Sequence, residues 1–309
     1  MTTPKTHAKR RYRAVHPLAP WLFVGPAIIL SLTMIVAPFV YSILQSLRGI
    51  KVAGGGLGRR EETFVGFANY VTAAFNPELW AGFGRMLWLG VITIPITLGL
   101  ALLFALLLDT PRVRLARFSR ISIFLPFAVP GVIASLMWGF MYLPGVSPFR
   151  ELAANLGLPQ PNFFTRDSVF WSIANINIWG GVGFNMVILY TALRGIGSEL
   201  YDAARVDGCN EWQIARDIKL PLLLPALVLT GLFSLIGTIQ TFSEPTTLAP
   251  LTDALSSTWV PMMLVYRDTF VAQNVYGGAA SAMLIALITI VSSVVLFWIT
   301  RRRSAGGMA

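Results

Sequence analysis

The sequence predicts an all-α integral membrane protein with six transmembrane helices and both termini on the cytoplasmic side. Three observations carry this reading. The chain is 55% hydrophobic and only 12% charged, about half the roughly 25% charge of a soluble domain. Six uncharged runs, 14–47 (His16 aside), 86–108, 121–149, 168–193, 220–243 and 269–300, each hold at least 23 residues, while the next longest, 63–77, holds 15. A helix needs about 20 apolar residues to cross the hydrocarbon core, so the gap between those lengths sets the count at six. The third observation is charge. Two thirds of the 24 basic residues fall in one set of alternating segments: Lys5 to Arg13, Arg112 to Arg120, Arg194 to Lys219, and Arg301 to Arg303. The positive-inside rule places that set in the cytoplasm. The formal charge of +10 is therefore topological and makes no case for nucleic acid.

Taken in order, the first run follows a basic tail at 1–17 and is too long for a secretory signal peptide, so it is expected to stay as an anchor. An outer segment, Arg48–Gly84, follows, with a flexible turn at Gly54-Gly55-Gly56 and then FVGFANYVTAAFNPELW. Its Phe64, Phe67, Tyr70, Val71 and Phe75 suit either the membrane interface or a packed lid. The second span, Met86–Leu108, is rich in Leu and Ala and ends at Asp109-Thr110-Pro111. Pro126 and Pro130 break the third, either as plain bends or as a moving gate, since proline frees backbone groups that must be satisfied elsewhere. A second outer loop covers 143–167.

The fourth and fifth spans are unlike lipid-facing helices. The fourth carries Asn175, Asn177, Trp179, Gly180, Gly181, Gly183, Phe184 and Asn185. Close helix packing explains the glycines, and an amide in hydrocarbon must find a partner; amides beside an aromatic ring also suit a sugar site. The fifth ends in Ser234, Gly237, Thr238, Gln240, Thr241, Phe242, Ser243 and Glu244, followed by TLAPLTDALSSTWVP. Polarity alone makes Asn185, Gln240 and Glu244 candidates for a polar path. The sixth span lies within Thr269–Thr300, with Gly277-Gly278-Ala279-Ala280 near its outer start.

Between the fourth and fifth spans lies a charged island, SELYDAARVDGCNEWQIARDIKLPLLLP, at 198–225. It predicts two short helices. Ser198 is a good N-cap for the first, with Leu200, Ala203, Ala204 and Val206 on its inner face. Gly208 ends it, because glycine enters the left-handed conformation most cheaply. Asn210 with Gln213 three residues on is a capping-box spacing for the second helix, whose apolar positions are Trp212, Ile214 and Ile218. Leu220-Pro221 is expected to stop that helix. Physics alone allows a solvated amphipathic connector as readily as a docking element.

Other chemistry is missing from the sequence. No G-x(4)-G-K-[ST] loop exists to cradle a nucleotide, and the two histidines, His7 and His16, lie near the N-terminus. No metal or other cofactor is expected, and an enzyme is disfavoured. A single cysteine, Cys209, excludes an internal disulfide and falls on the reducing side. A secondary transporter would keep ionisable groups at mid-membrane; these six runs hold none, so energy must come from outside the chain.

The island resembles a known motif. Asp202-Ala203-Ala204, Asp207-Gly208, Ile218 and Leu220-Pro221 stand at the spacing of the EAA loop, E-A-A-x(2)-D-G-A-x(8)-I-x-L-P, with Asp202 in place of glutamate and Cys209 in place of alanine. On those residues the chain resembles the membrane subunits of binding-protein-dependent ATP-binding-cassette importers, of the maltose-type carbohydrate-uptake family. The resemblance implies the type I importer permease fold in a bacterial or archaeal plasma membrane. Its implied organisation is a first helix and outer loop at 18–80, a transmembrane domain at 81–301 containing the loop at 195–221, and a tail at 302–309. Implied partners are a second permease subunit, two copies of a cytoplasmic ATPase, an extracytoplasmic binding protein, lipid, and a carbohydrate cargo; glycerol 3-phosphate or another polyol is the alternative cargo. Coupling to the ATPase is assigned to Glu199, Asp202, Ala203, Ala204, Asp207, Gly208 and Trp212. Matching through the loop puts Gly181, Phe184, Ser234, Gly237, Thr238 and Thr241 at sugar-contact positions.

Overall fold

The computed structural model describes residues 19–52, 60–110 and 115–305. The expected tail at 1–17, the glycine turn at 54–56, Arg112, Arg114 and residues 306–309 lie outside them. The first span is one continuous helix: α1 (Ala19–Ser31) widens through a π-type turn, Leu32–Val36, into α2 (Ala37–Ser46). The wide turn immediately precedes Pro38, whose ring would collide with the carbonyl one turn back in a regular helix. Two strands, β1 (Arg48–Val52) and β2 (Arg60–Phe64), then pair antiparallel with Ile50 opposite Glu62. This hairpin was not expected, because it is short and its strands are largely charged. α3 (Ala68–Ala74) is tied beneath it by Asn69, whose amide donates to the Ser46 and Arg48 carbonyls at 2.8 and 2.7 Å, and by the 2.7 Å Tyr70–Ser46 hydroxyl contact. Phe64, Phe67, Val71 and Phe75 are exposed, which favours an interfacial surface over a packed lid.

The second span, α4 (Pro77–Leu108), starts nine residues earlier than the charge-free run. Pro77 fits the first helical position, and the Asn76 side chain caps the Glu78 N–H at 2.9 Å. Arg85 is accommodated inside α4 because its guanidinium donates to the Trp259 and Thr258 carbonyls at 2.7 and 3.0 Å. The third span is corrected. In place of a kinked helix there are two, α5 (Ala116–Ala128) and α6 (Gly131–Tyr142), meeting at 95°. Val129 precedes Pro130 and is forced extended, ψ 124°, which no kink can absorb. The outer loop beyond holds α7 (Pro148–Asn155).

α8 (Val169–Arg194) is the fourth span, followed by α9 (Ser198–Val206) and α10 (Glu211–Gln213). Leu220-Pro221 does not stop the helix, contrary to expectation. α10 widens into a π-type turn, Ile214–Lys219, and continues as α11 (Leu220–Ile239). Pro221 sits two residues into α11, where the widened turn absorbs its missing N–H. α11 also ends earlier than the run suggested: the chain breaks at Gln240–Phe242 and restarts as α12 (Ser243–Leu248). α13 (Pro261–Tyr266) and α14 (Val275–Ala305) complete the chain. Five helices are long and apolar enough to cross a membrane, and counting the bent α5–α6 pair as one gives six.

Packing centres on α4 and α8. One cluster joins Leu89 of α4, Ile173 and Ile176 of α8, Tyr142, Leu248 and Trp259. A second joins Ala101, Ala105 and Leu108 of α4 to Met186, Leu189 and Leu193 of α8 and Leu223 of α11. Between them α4 presents Thr93 and Thr97, and α8 presents Asn177 to Asn185. The two helices are thus held together above and below a polar gap.

Candidate functional site

That gap is a cavity of about 350 Å³. α4 supplies Thr93, Ile94 and Thr97; α5 supplies Phe127; α8 supplies Asn177, Gly181, Phe184 and Asn185. α11 and the break after it supply Phe233, Ser234, Gly237, Thr238, Gln240, Thr241 and Phe242, and α12 adds Ser243 and Glu244. One wall is aromatic: Phe184 stacks on Phe127 with ring centres 4.7 Å apart and meets Phe233 at 6.2 Å. Other lining groups are hydroxyls. Thr238 donates to the Ser234 carbonyl at 2.9 Å and Thr241 to the Gly237 carbonyl at 3.4 Å. Each hydroxyl has spent its proton on its own helix, so its oxygen offers lone pairs to an incoming donor. Glycine sets the room: nothing lies within 4 Å of a Cβ built on Gly237, while one on Gly181 would press the Thr97 methyl at 3.2 Å.

All nine residues expected to face a polar path, Gly181, Phe184, Asn185, Ser234, Gly237, Thr238, Gln240, Thr241 and Glu244, line this cavity. Their situations differ. Asn185 is buried; it donates to the Gly181 carbonyl at 2.9 Å and accepts from Ser234 at 3.5 Å, so its amide also ties α8 to α11. Glu244 opens α12, beside the Gly131 that starts α6. Asn175 and Trp179 are elsewhere: Asn175 donates to the Tyr142 hydroxyl at 2.9 Å and Trp179 packs edge-on against Trp138. Thr93 and Thr97 went unnoticed, although they are the two hydroxyl residues of an otherwise apolar run. Phe127 and Phe233 carry no signal that distinguishes them from lipid-facing phenylalanines.

At one end of the bundle sits the α9–α10 pair. Its turn is built as the spacing predicts. Gly208 has φ +84°, Cys209 N–H reaches the Ala204 carbonyl at 2.9 Å, and Gly208 N–H reaches that of Arg205 at 3.1 Å, a complete Schellman closure. Asn210 and Gln213 form both bonds of the capping box, at 2.8 and 2.9 Å. Arg205 bridges the helices, pairing with Asp202 at 2.9 Å and Glu211 at 3.2 Å. Two expectations fail. Gly197, not Ser198, is the N-cap, and no side chain caps it. The inner face is Tyr201 and Ala204; Leu200, Ala203, Val206 and Trp212 point away from the bundle, as do Glu199, Asp202 and Asp207. Leu200, Val206 and Trp212 are thus apolar side chains left bare on a charged element.

Apolar spans around a polar cavity, with a charged helix pair at one end, define a membrane transport subunit. The chain belongs to the family of binding-protein-dependent transport system inner membrane components, whose model matches residues 97–304. It is therefore a multi-pass inner-membrane protein. It is 30% identical to the lactose transport system permease protein LacF of Rhizobium radiobacter over 98% of this chain and 99% of that one. A probable starch degradation products permease, AmyD of Thermoanaerobacterium thermosulfurigenes, is 25% identical over 92% and 94%. The sn-glycerol-3-phosphate permease UgpA of Shigella flexneri is 24% identical over 90% and 92%. In fold, the chain matches one in the crystal structure of a bacterial alginate ABC transporter with its alginate pentasaccharide-bound periplasmic protein, at TM-score 0.77, 18% identity and coverage of 92% and 94%.

Proposed function

We propose that this chain is the permease subunit of an ATP-driven importer for a neutral sugar or oligosaccharide. The observation that carries the cargo class is the cavity wall. It combines stacked phenylalanines with hydroxyl and amide groups and one carboxylate, and none of its residues is a lysine or arginine. Aromatic faces suit the C–H face of a sugar ring, while Thr238, Thr241 and Glu244 accept from its hydroxyls. A phosphorylated polyol is the weaker reading, since an anion taken out of water without a counter-charge carries a heavy desolvation cost. The lactose and starch-product permeases among the relatives support the same class.

The remaining parts extend the same proposal. A second permease subunit completes the pore, a binding protein delivers the sugar, and two ATPase copies receive Leu200, Val206 and Trp212 of the bare α9–α10 surface. We place the transmembrane domain at 81–301, the coupling loop at 195–221, and both termini in the cytoplasm. The continuous helix from Glu211 to Ile239 gives the coupling a physical route. At 1.5 Å per residue it carries movement about 40 Å, from the docking surface to Thr238.

The test is uptake by the whole complex in proteoliposomes, with a labelled disaccharide and glycerol 3-phosphate offered separately. Sugar uptake is expected, with a roughly tenfold loss in Thr238→Val, since deleting one hydrogen-bond partner costs about 1–3 kcal/mol. Uptake of the phosphate and not the sugar would reverse the cargo assignment. Unchanged sugar uptake in both Thr238→Val and Phe184→Ala would move the contacts to the second permease.

A further inference from the structure

The structure carries a buried ion pair that no motif announces. Lys219 Nζ lies 2.6 Å from Asp109 Oδ2, with side chains 9% and 6% exposed. The partners are 110 residues apart: Asp109 closes α4, and Lys219 ends the π-type turn that feeds α11. The same ammonium sits over the Tyr201 ring of α9, 4.8 Å from its centre. One cation therefore touches α4, α9 and the head of α11.

Nothing local requires this arrangement. A carboxylate at a helix C-terminus opposes the helix dipole, so Asp109 is poorly placed unless a cation is brought to it. Burying the pair costs desolvation that its attraction barely returns, so stability alone is a weak reason to build it. The other ion pairs of the segment, Arg205 with Asp202 and Glu211 and Arg216 with Asp217, stay within 202–217. Among the described residues, Lys219–Asp109 alone links this segment to another span by charge. The Tyr201 hydroxyl is buried without a hydrogen-bond partner, so the ring is held there by its face. Burial, with Asp109 adding to it, raises the Tyr201 pKa.

α9 is flanked by glycines. It is entered through Gly195 and Gly197 and left through the positive-φ Gly208. A push on its outer face could turn it on those glycines without moving a span. We propose that Lys219 is the positioning residue that prevents this, tying α9 through Tyr201 to the inner end of α4 through Asp109. Displacement of α9 then moves α4 and α11, which both line the cavity, as one body. This rests on the importer reading above and adds a coupling role for three residues, Tyr201, Lys219 and Asp109, that hold none of the motif's fixed positions.

The test measures sugar transported per ATP hydrolysed by the whole complex in proteoliposomes. Single loss of Lys219 or Asp109 strands a buried charge and endangers folding, so the informative variants are the neutral pair Asp109→Asn with Lys219→Met, the swapped pair Asp109→Lys with Lys219→Asp, and Tyr201→Leu. The neutral pair and Tyr201→Leu are expected to assemble and hydrolyse ATP while the transport ratio falls about tenfold, equivalent to about 1.4 kcal/mol of coupling. The swapped pair and Tyr201→Phe are expected to recover most of it. An unchanged ratio in assembled neutral-pair complex overturns the proposal. So does loss of assembly in both the neutral pair and Tyr201→Leu, which would make the contact a folding element. If the unmutated complex hydrolyses ATP and moves no sugar, the importer reading itself fails, and that result is visible before any variant is compared.

Discussion

At Gly208 a single residue decides how the docking surface is folded. Its φ of +84° lets two N–H groups turn back onto the last carbonyls of α9. A β-branched side chain there costs roughly 1–2 kcal/mol of backbone strain, too little to unfold the bundle and enough to displace the α9–α10 turn. Gly208→Val is therefore expected to insert and assemble normally, to keep hydrolysing ATP, and to lose most uptake; normal uptake would deny the turn its role. This glycine was legible because a left-handed turn between two helix patterns leaves few other residues. The Asn210–Gln213 box was legible for a similar reason, since both of its bonds are made within four residues. Lys219 was not: a lysine reads as solvated by default, and the carboxylate that buries it lies 110 residues away. Tyr201 failed from the opposite direction. On helical spacing Leu200, Ala203 and Val206 are the better core positions, and only the rest of the fold shows that this face is left exposed while Tyr201 and Ala204 turn inward.

Between elements, α8 approaches the α5 backbone closely at Gly183. A Cβ on Gly183 would stand 2.3 Å from the Ile123 carbonyl oxygen and 2.7 Å from the Phe124 Cα, both backbone atoms that cannot step aside. Gly183→Leu should part the two helices at the level of the Phe127–Phe184 stack, and overpacking of this kind costs about 1–3 kcal/mol. The expected result is poor recovery of the complex and a lowered thermal midpoint in detergent. Gly181→Ala, whose new methyl meets only a threonine methyl at 3.2 Å, is expected to assemble; equal tolerance of both would remove the close contact from the argument. The spans themselves were legible because lipid forbids charge over a fixed length, and that rule acts locally. Their ends were not. Arg85 extends α4 past the charge-free run by finding carbonyls on the loop before α13, and Pro221 is carried by a widened turn that composition does not reveal. The 95° break had its prolines in view, but only the extended Val129 decides between a bend and a corner.

For the whole molecule, the two ends of α4 set the frame. Near its start Glu78 pairs with Arg267 at 2.8 Å, and at its close Asp109 pairs with Lys219 at 2.6 Å. With α4 32 residues long, these contacts are separated by about 45 Å of helix, enough to place them on opposite sides of a bilayer. The Lys219 end gathers Arg117, Arg120, Arg194, Arg205 and Arg216 within or beside its segments, whereas the Arg267 end shares its side with the hairpin and α7. The cavity lies between them along α4, at Thr93 and Thr97, flanked by the two apolar clusters. The positive-inside rule predicts that the α9–α10 end is cytoplasmic, as proposed above. In a Cys209→Ser background, single cysteines at Asn155 of α7 and at Gln213 of α10 report the two faces. A membrane-impermeant thiol reagent added to intact cells is expected to label the first and spare the second until the membrane is opened. Labelling at Gln213 in intact cells would invert the molecule. It would put the helix pair out of reach of any cytoplasmic ATPase, and both the docking surface and the Lys219 tie would lose their purpose together.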